Sequence, residues 1–224
     1  MGDILYNIYY RLRDRFGPQH WWPAEGPFEV MVGAILTQSA AWSNVEKAVT
    51  NLKTAGALSP ARLRQLPLSD IASLVYSSGY YNAKALKLKS MADWLGECCR
   101  DDLDRLFTTG TGQLRRELLS VHGIGEETAD SIILYAANKP VFVIDAYTRR
   151  IIDRIGLSPE KPTYAGYQRF FMDNLPLDAD LFNEYHALLV CQGKNVCRKH
   201  PLCIDCCLAG STCGFSTKFQ EERC

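Results

Sequence analysis

The stretch LLSVHGIGEETADSIILYA, residues 118–136, decides how the chain is read. Two runs of helical periodicity flank the residues HGIG. Gly123 and Gly125 permit a tight turn with positive φ. Such a turn is expected to leave the amides of Ile124, Gly125 and their neighbours unpaired at the mouth of the next helix. Amides placed there suit a phosphate oxygen, and the helix dipole adds to the attraction. An ordinary helical corner also uses glycines for packing. The longer pattern L-x-x-x-x-G-I-G-x-x-T-A goes beyond a lone G-x-G and favours a DNA-binding helix-hairpin-helix.

Just downstream lies KPVFVIDAYTRRIIDRIG, residues 139–156. Asp145 follows a buried apolar run and precedes a helix, so it suits an N-cap. Capping also holds the carboxylate ionised at a helix mouth. An ionised carboxylate beside a sugar C1′ can activate water or stabilise an oxocarbenium ion, as in glycoside hydrolysis. Arg149 and Arg150 follow within a turn and suit either phosphate contacts or a solvated face.

Working outward, helical periodicity covers nearly the whole chain. ILYNIYYRLRDRFG sets Ile4, Ile8, Leu12 and Phe16 on one expected face. FEVMVGAILTQSA reads as a buried helix and 39–56 as a second, ended by a glycine. Short helices in SPARLRQLP and LSDIASLVYSSG lead to a longer one in NAKALKLKSMADWLGECCR. QLRRELLSV, EETADSIILYAAN, AYTRRIIDRIG and NEYHALLVCQG complete about ten helices. VFVI reads as an extended connector. The expected class is all-α.

The 224 residues carry 25 Lys plus Arg against 25 Asp plus Glu, so any nucleic-acid surface must be a local patch. No apolar run reaches membrane-spanning length, and the charged N-terminal stretch is unlike a secretory signal. Of nine cysteines, seven fall between Cys191 and Cys224. A secreted disulfide framework would spread them out, whereas a cluster suggests a metal site. Cys197, Cys203, Cys206 and Cys213 have the spacing C-x5-C-x2-C-x6-C. Four thiolates in one loop can hold a [4Fe–4S] cube or a tetrahedral zinc, and spacing alone does not separate these. Cys207, adjacent to Cys206, is an alternative ligand; Cys206 keeps the C-x2-C core. Cys98, Cys99, Cys191, Cys207 and Cys224 read as core or surface thiols. Arg198, Lys199 and Lys194 lie beside the loop and suit phosphates.

HGIGEETAD followed by VFVIDAYTRR resembles the hairpin, loop and aspartate signature of the endonuclease III superfamily of DNA glycosylases. His122 stands where that family often has proline. The resemblance covers nearly the whole chain and implies a two-domain helix-hairpin-helix glycosylase fold with a C-terminal [4Fe–4S] loop. The expected domains are 27–137 and a second unit joining 1–26 to 138–224, with the active site in a cleft between them. Asp145 is then the catalytic carboxylate. GAILTQSAAW resembles the helix whose glutamine, here Gln38, fills the gap left by a flipped base. SSGYYNAKA resembles the wedge loop and points to Tyr80. Gly123, Ile124, Gly125 and Arg149 complete the expected DNA contacts. The family favours iron–sulfur over zinc, although both outer cysteine intervals differ by one residue from its usual spacing.

Glu127 is the most informative departure. Strand-cutting members carry a Schiff-base lysine at this position, eighteen residues before Asp145. Glutamate has no amine, which implies base removal without lyase chemistry from this position. Lys84, Lys87 and Lys139 are the remaining amines considered. HWWPAEGPFE, SSGYYNAKA and the hairpin together look most like the 3-methyladenine glycosylase branch, where glutamate also replaces the lysine. Some members of that branch lack the cluster loop, and this chain departs from them there. The expected base pocket is Trp21, Trp22, Phe28 and Glu127. The expected function is a monofunctional glycosylase removing an alkylated purine from double-stranded DNA. It would act as a monomer in a prokaryotic cytoplasm, at the nucleoid. The alternatives are a mismatch or uracil glycosylase, and a non-catalytic DNA-binding module with structural zinc.

Overall fold

The computed structural model describes residues 1–210 and 212–216; Cys224 lies outside them. Among the described residues the chain is helical with no strand. In order come α1 (Gly2–Phe16), α2 (Pro27–Leu36), α3 (Trp42–Thr54), α4 (Pro60–Gln65), α5 (Leu68–Leu74) and α6 (Tyr81–Cys99). Then follow α7 (Leu103–Phe107), α8 (Thr111–Ser120), α9 (Glu126–Ser131), α10 (Ala146–Ile155), α11 (Tyr164–Met172) and α12 (Ala179–Asn195). Ile132–Ala136 continues α9 as a π-helical stretch. The segment 141–145 belongs to no helix or strand, and Asp145 at its end has extended backbone angles. No helix among the described residues is long and apolar enough to cross a membrane.

Periodicity misses two helices. At five residues α7 is too short to show a repeat; its start is set by Asp102, whose side chain accepts from Arg105 N at 2.9 Å. In α11 an interior glycine masks the pattern. Gly166 is required because a Cβ there would collide with the Lys161 carbonyl. The face of α1 also needs correction. Leu5, Ile8, Tyr9 and Leu12 are buried, while Ile4 is 44% exposed. A 3.6-residue repeat rotates a strict four-residue stripe away from the core. α2 ends at Leu36 and α3 begins at Trp42, so Gln38 sits in the connection, not on a helix.

The chain divides into two compact units. One is Trp22–Lys139, containing α2 to α9; the other joins Met1–Trp21 to the residues from Pro140 onward. In the first, α2 is central, with every residue from Val30 to Leu36 buried. In the second, Phe142 stacks on Phe171 at 3.9 Å, and Phe182 and Tyr185 pack edge-on against Phe142. Tyr185 donates its hydroxyl to Leu5 O at 2.8 Å, tying α12 to α1. The segment is pinned through Phe142, which sits among these aromatics. Gln168 donates to Phe142 O at 2.9 Å, so the backbone leading to Asp145 is buried with a partner.

Lys84 on α6 is only 1% exposed and closes the end of α2. Its ammonium donates to Leu36 O at 2.8 Å and Ser78 O at 2.6 Å. Burial, then the neighbouring Lys87 charge, pushes its pKa down from 10.5 to about 8. The unfolded chain therefore holds this proton more tightly than the folded one, and the group's contribution to stability rises as pH climbs from about 8 toward 10.5. Lys84→Met leaves two buried carbonyls without donors and is expected to cost about 2 kcal/mol in urea unfolding at neutral pH. The gap between wild type and variant should widen between about pH 8 and 10. A gap independent of pH would show that burial does not hold this amine down.

Candidate functional site

The hairpin joins α8 to α9 through residues 121–125. Gly123 has φ +82°, a conformation that glycine adopts without the Cβ penalty. The Ile124 amide is not unpaired, contrary to expectation: it donates to Val121 O at 3.1 Å, and the Ile124 side chain is buried. The turn closes on itself and anchors its tip in the core. A bidentate pair holds the two helices together. Arg115 on α8 donates through Nε and Nη2 to the fully buried Asp130 carboxylate on α9, at 2.8 and 3.1 Å. Neither residue stands out in the sequence, because their pairing depends on the hairpin angle.

Gln38 docks on this hairpin. Its Nε2 donates to Gly123 O at 3.0 Å and to Thr128 Oγ1 at 2.9 Å. Its Oε1 accepts from Lys87 Nζ at 2.5 Å. Tyr80 is 76% exposed and takes the left-handed conformation, φ +47°, just before α6. A tyrosine held there is strained, by about 1 kcal/mol or more.

The aromatic loop forms a pocket of about 250 Å³ lined by Trp22, Pro23, Glu29, Trp42, Glu46 and Lys53, among others. Trp22 meets Trp42 edge-on at 5.3 Å and Tyr135 at 5.2 Å. The indole fits because Gly33 lies beneath it; a Cβ there would stand 3.0 Å from the ring. Trp42 donates its indole N–H to Glu46 at 2.7 Å. Lys53 bridges Glu25 and Glu29, both at 3.0 Å. Trp42 was not among the expected pocket residues, although its helical spacing from Glu46 was legible. Phe28 is half-buried at the start of α2 and does not line this pocket. Trp21 belongs to the other unit. Glu127 is exposed on the first turn of α9, and it too is absent from the lining.

In the other unit Asp145 caps α10. Its Oδ1 accepts from Thr148 N at 2.7 Å, and the residue is 9% exposed. Oδ2 faces His186 Nε2 on α12 at 3.8 Å. Burial lowers the His186 pKa, and the Asp145 charge opposes that shift. His186 is therefore neutral near pH 7, which leaves the carboxylate without a full countercharge from this side. Arg149 lies over the rings of Tyr164 and Tyr167, at 5.8 and 5.7 Å. Arg150 turns inward, donating to Cys197 O at 2.7 Å and Gly193 O at 2.9 Å, which removes it from the set of phosphate contacts.

Cys197, Cys203, Cys206 and Cys213 line one pocket together with Arg154. Arg154 Nη1 donates to Cys197 Sγ at 3.3 Å, and Gln192 Nε2 donates to Cys206 Sγ at 3.1 Å. Arg154 also holds the loop backbone, at Arg198 O and Lys199 O. Cys207 does not line the pocket; its carbonyl accepts from Arg11 at 3.0 Å. No group of three or more His, Cys, Asp or Glu among the described residues is gathered as a site for a metal ion. The four thiols share one pocket without that closure, and the donors on two of their sulfurs suit thiolates.

Comparison with known proteins agrees with these features. Residues 32–177 match the family described as HhH-GPD superfamily base excision DNA repair protein. MJ1434 of Methanocaldococcus jannaschii, which carries the provisional name of a DNA repair glycosylase, is 42% identical over 211 residues, covering 91% of this chain and 93% of that protein. The 3-methyladenine DNA glycosylase MagIII of H. pylori, solved with 1,N6-ethenoadenine, superposes with a TM-score of 0.73 at 26% identity, over 85% of this chain and 97% of that one. An endonuclease III–DNA complex shares the fold, with a TM-score of 0.84 at 19% identity over 99% of both chains. With the model spanning well over half the chain, across the hairpin and Asp145, the protein belongs to the HhH-GPD superfamily of base excision DNA repair proteins.

Proposed function

We propose that this DNA repair glycosylase hydrolyses the N-glycosidic bond of a flipped, alkylated purine, chiefly 3-methyladenine, and leaves the strand uncut. The observation that carries the reading is the pocket of Trp22 and Trp42, edged by Glu29 and Glu46. Alkylation at N3 gives the purine a formal positive charge. A cationic ring gains from an indole face by about 1–2 kcal/mol when desolvated. Of the charged groups lining this pocket, the two carboxylates of Glu29 and Glu46 outnumber the one ammonium of Lys53, which also favours a cation. The likeness to a 3-methyladenine glycosylase supports the same substrate class.

A cationic base departs neutral when its bond to C1′ breaks, so it needs little acid assistance. Asp145 supplies what remains. Its ionised carboxylate stabilises the developing oxocarbenium ion and orients the water that adds to C1′. Glu127 stands where the lyase lysine would be and has no amine to offer. In this reading Tyr80 enters the duplex, the Gln38 segment meets it beside the hairpin, and Gly123 and Gly125, with Arg149, follow the phosphates, while Ile124 anchors the turn. Cys197, Cys203, Cys206 and Cys213 would hold a [4Fe–4S] cluster, which when bound cross-links the loop carrying Arg198 and Lys199 and supplies no step of the hydrolysis.

The test is release of free bases from duplexes carrying a panel of lesions. We expect 3-methyladenine to be released and Trp22→Ala to lower that release at least tenfold with the fold intact. Release of uracil or mismatched thymine, with methylated DNA untouched, would replace this reading with the neutral-pyrimidine one. Asp145→Asn is expected to abolish excision with little change in melting temperature, since asparagine still caps a helix; Asp145→Ala should also lose about 1 kcal/mol of stability. Near-normal turnover by the asparagine variant would refute the role of the carboxylate.

For the cluster, Cys206→Ser should lose iron and the absorption near about 400 nm expected of such clusters. Cys207→Ser should keep both. The opposite result would exchange the two ligands, and stoichiometric zinc in place of iron would remove the cluster.

A further inference from the structure

The Gln38 amide makes three hydrogen bonds, and the one made by Lys87 has no part in the roles set out above. Lys87 is half-buried on α6, 49 positions from Gln38 in sequence. Its ammonium donates to Gln38 Oε1, while both amide hydrogens go to the hairpin, at Gly123 O and Thr128 Oγ1. Amide nitrogen and oxygen are nearly isosteric. If the amide flipped, Oε1 would face the Gly123 carbonyl and Nε2 would face the Lys87 ammonium, and both contacts would repel. The lysine charge thus selects one orientation, and only that orientation binds the hairpin. The Lys87 stem adds a second constraint. It passes so close under Gly123 that a Cβ there would collide with its methylenes.

We propose that Lys87 is the positioning residue for Gln38, latching the segment after α2 onto the hairpin before DNA arrives. This rests on the reading that Gln38 and the hairpin both meet the duplex. Two DNA-contacting pieces are then presented as one body, and the cost of aligning them is met in folding instead of binding. The charge-assisted bond to Gln38 is the strongest of the three, so its loss frees the amide to rotate.

The experiment is a double-mutant cycle on Lys87→Met and Gln38→Ala, read as Kd for a duplex holding an uncleavable abasic-site analogue. Methionine keeps an unbranched stem against Gly123 and removes the ammonium, both its charge and its hydrogen bond to Gln38. We expect Lys87→Met to weaken binding roughly five- to twentyfold in the wild-type background, and less than twofold when Gln38 is already alanine. Lys87→Arg should restore most of the loss. The salt dependence of Kd should be unchanged, because no phosphate contact is removed. An equal loss in both backgrounds, with the salt slope reduced by about one, would make Lys87 a phosphate ligand and overturn the proposal. Undiminished binding by Lys87→Met would also overturn it. If Gln38→Ala alone binds like wild type, the reading of Gln38 as a DNA contact fails. The latch is then judged by the unfolding free energies of the same four proteins without DNA, and additive values there overturn it.

Discussion

One hydrogen bond, from Thr148 N to Asp145 Oδ1, is the constraint on which the proposed chemistry depends. It makes the carboxylate part of the α10 cap, so swinging the side chain away uncaps the helix at a cost of about 1 kcal/mol. It also assigns the two oxygens different tasks. Oδ1 completes the helix, and Oδ2 is directed toward the neutral His186 at 3.8 Å. The backbone leading to the aspartate is itself held, through Phe142 O by Gln168 and through the packed Phe142 ring. A buried carboxylate on such a rigid mount needs no reorganisation when positive charge develops beside it.

The hairpin unit uses the same device of buried polar groups with full partners. Asp130 is wholly inaccessible, and it is matched by two donors from Arg115. Gln38 adds a third strand of contact from a connection outside the hairpin. Each of these pairs is costly to break on one side only, because the remaining partner keeps its desolvation penalty. The hairpin is thereby a rigid part, whereas the strained, exposed Tyr80 is held outward by its backbone.

What was legible in the sequence was local. The hairpin glycines, the Asp145 cap and the four pocket cysteines each lie within one short stretch, where turn chemistry and spacing suffice. Gln38, Tyr80 and Trp22 were singled out through family resemblance. Their surroundings were not legible, since the partners are remote: Gly123 is 85 positions from Gln38, and Lys87 is 49. Trp42 and His186 are ordinary helix residues until packing turns them toward Trp22 and Asp145. Phe28 and Trp21 lie within seven positions of Trp22 yet do not line the pocket of Trp22 and Trp42, since closeness in sequence does not fix which way a side chain faces. The Ile124 amide, expected to be unpaired, is consumed by the turn that the glycines permit.

The proposed chemistry is hydrolysis by a carboxylate, with glutamate and no amine at position 127, and borohydride reduction during turnover tests this most directly. A glycosylase that uses an amine passes through an imine to the sugar, and borohydride freezes it as a covalent protein–DNA adduct. With wild-type protein and DNA containing 3-methyladenine, the account predicts free base, an intact strand bearing an abasic site, and no adduct. A trapped adduct forming at the rate of base release would contradict it.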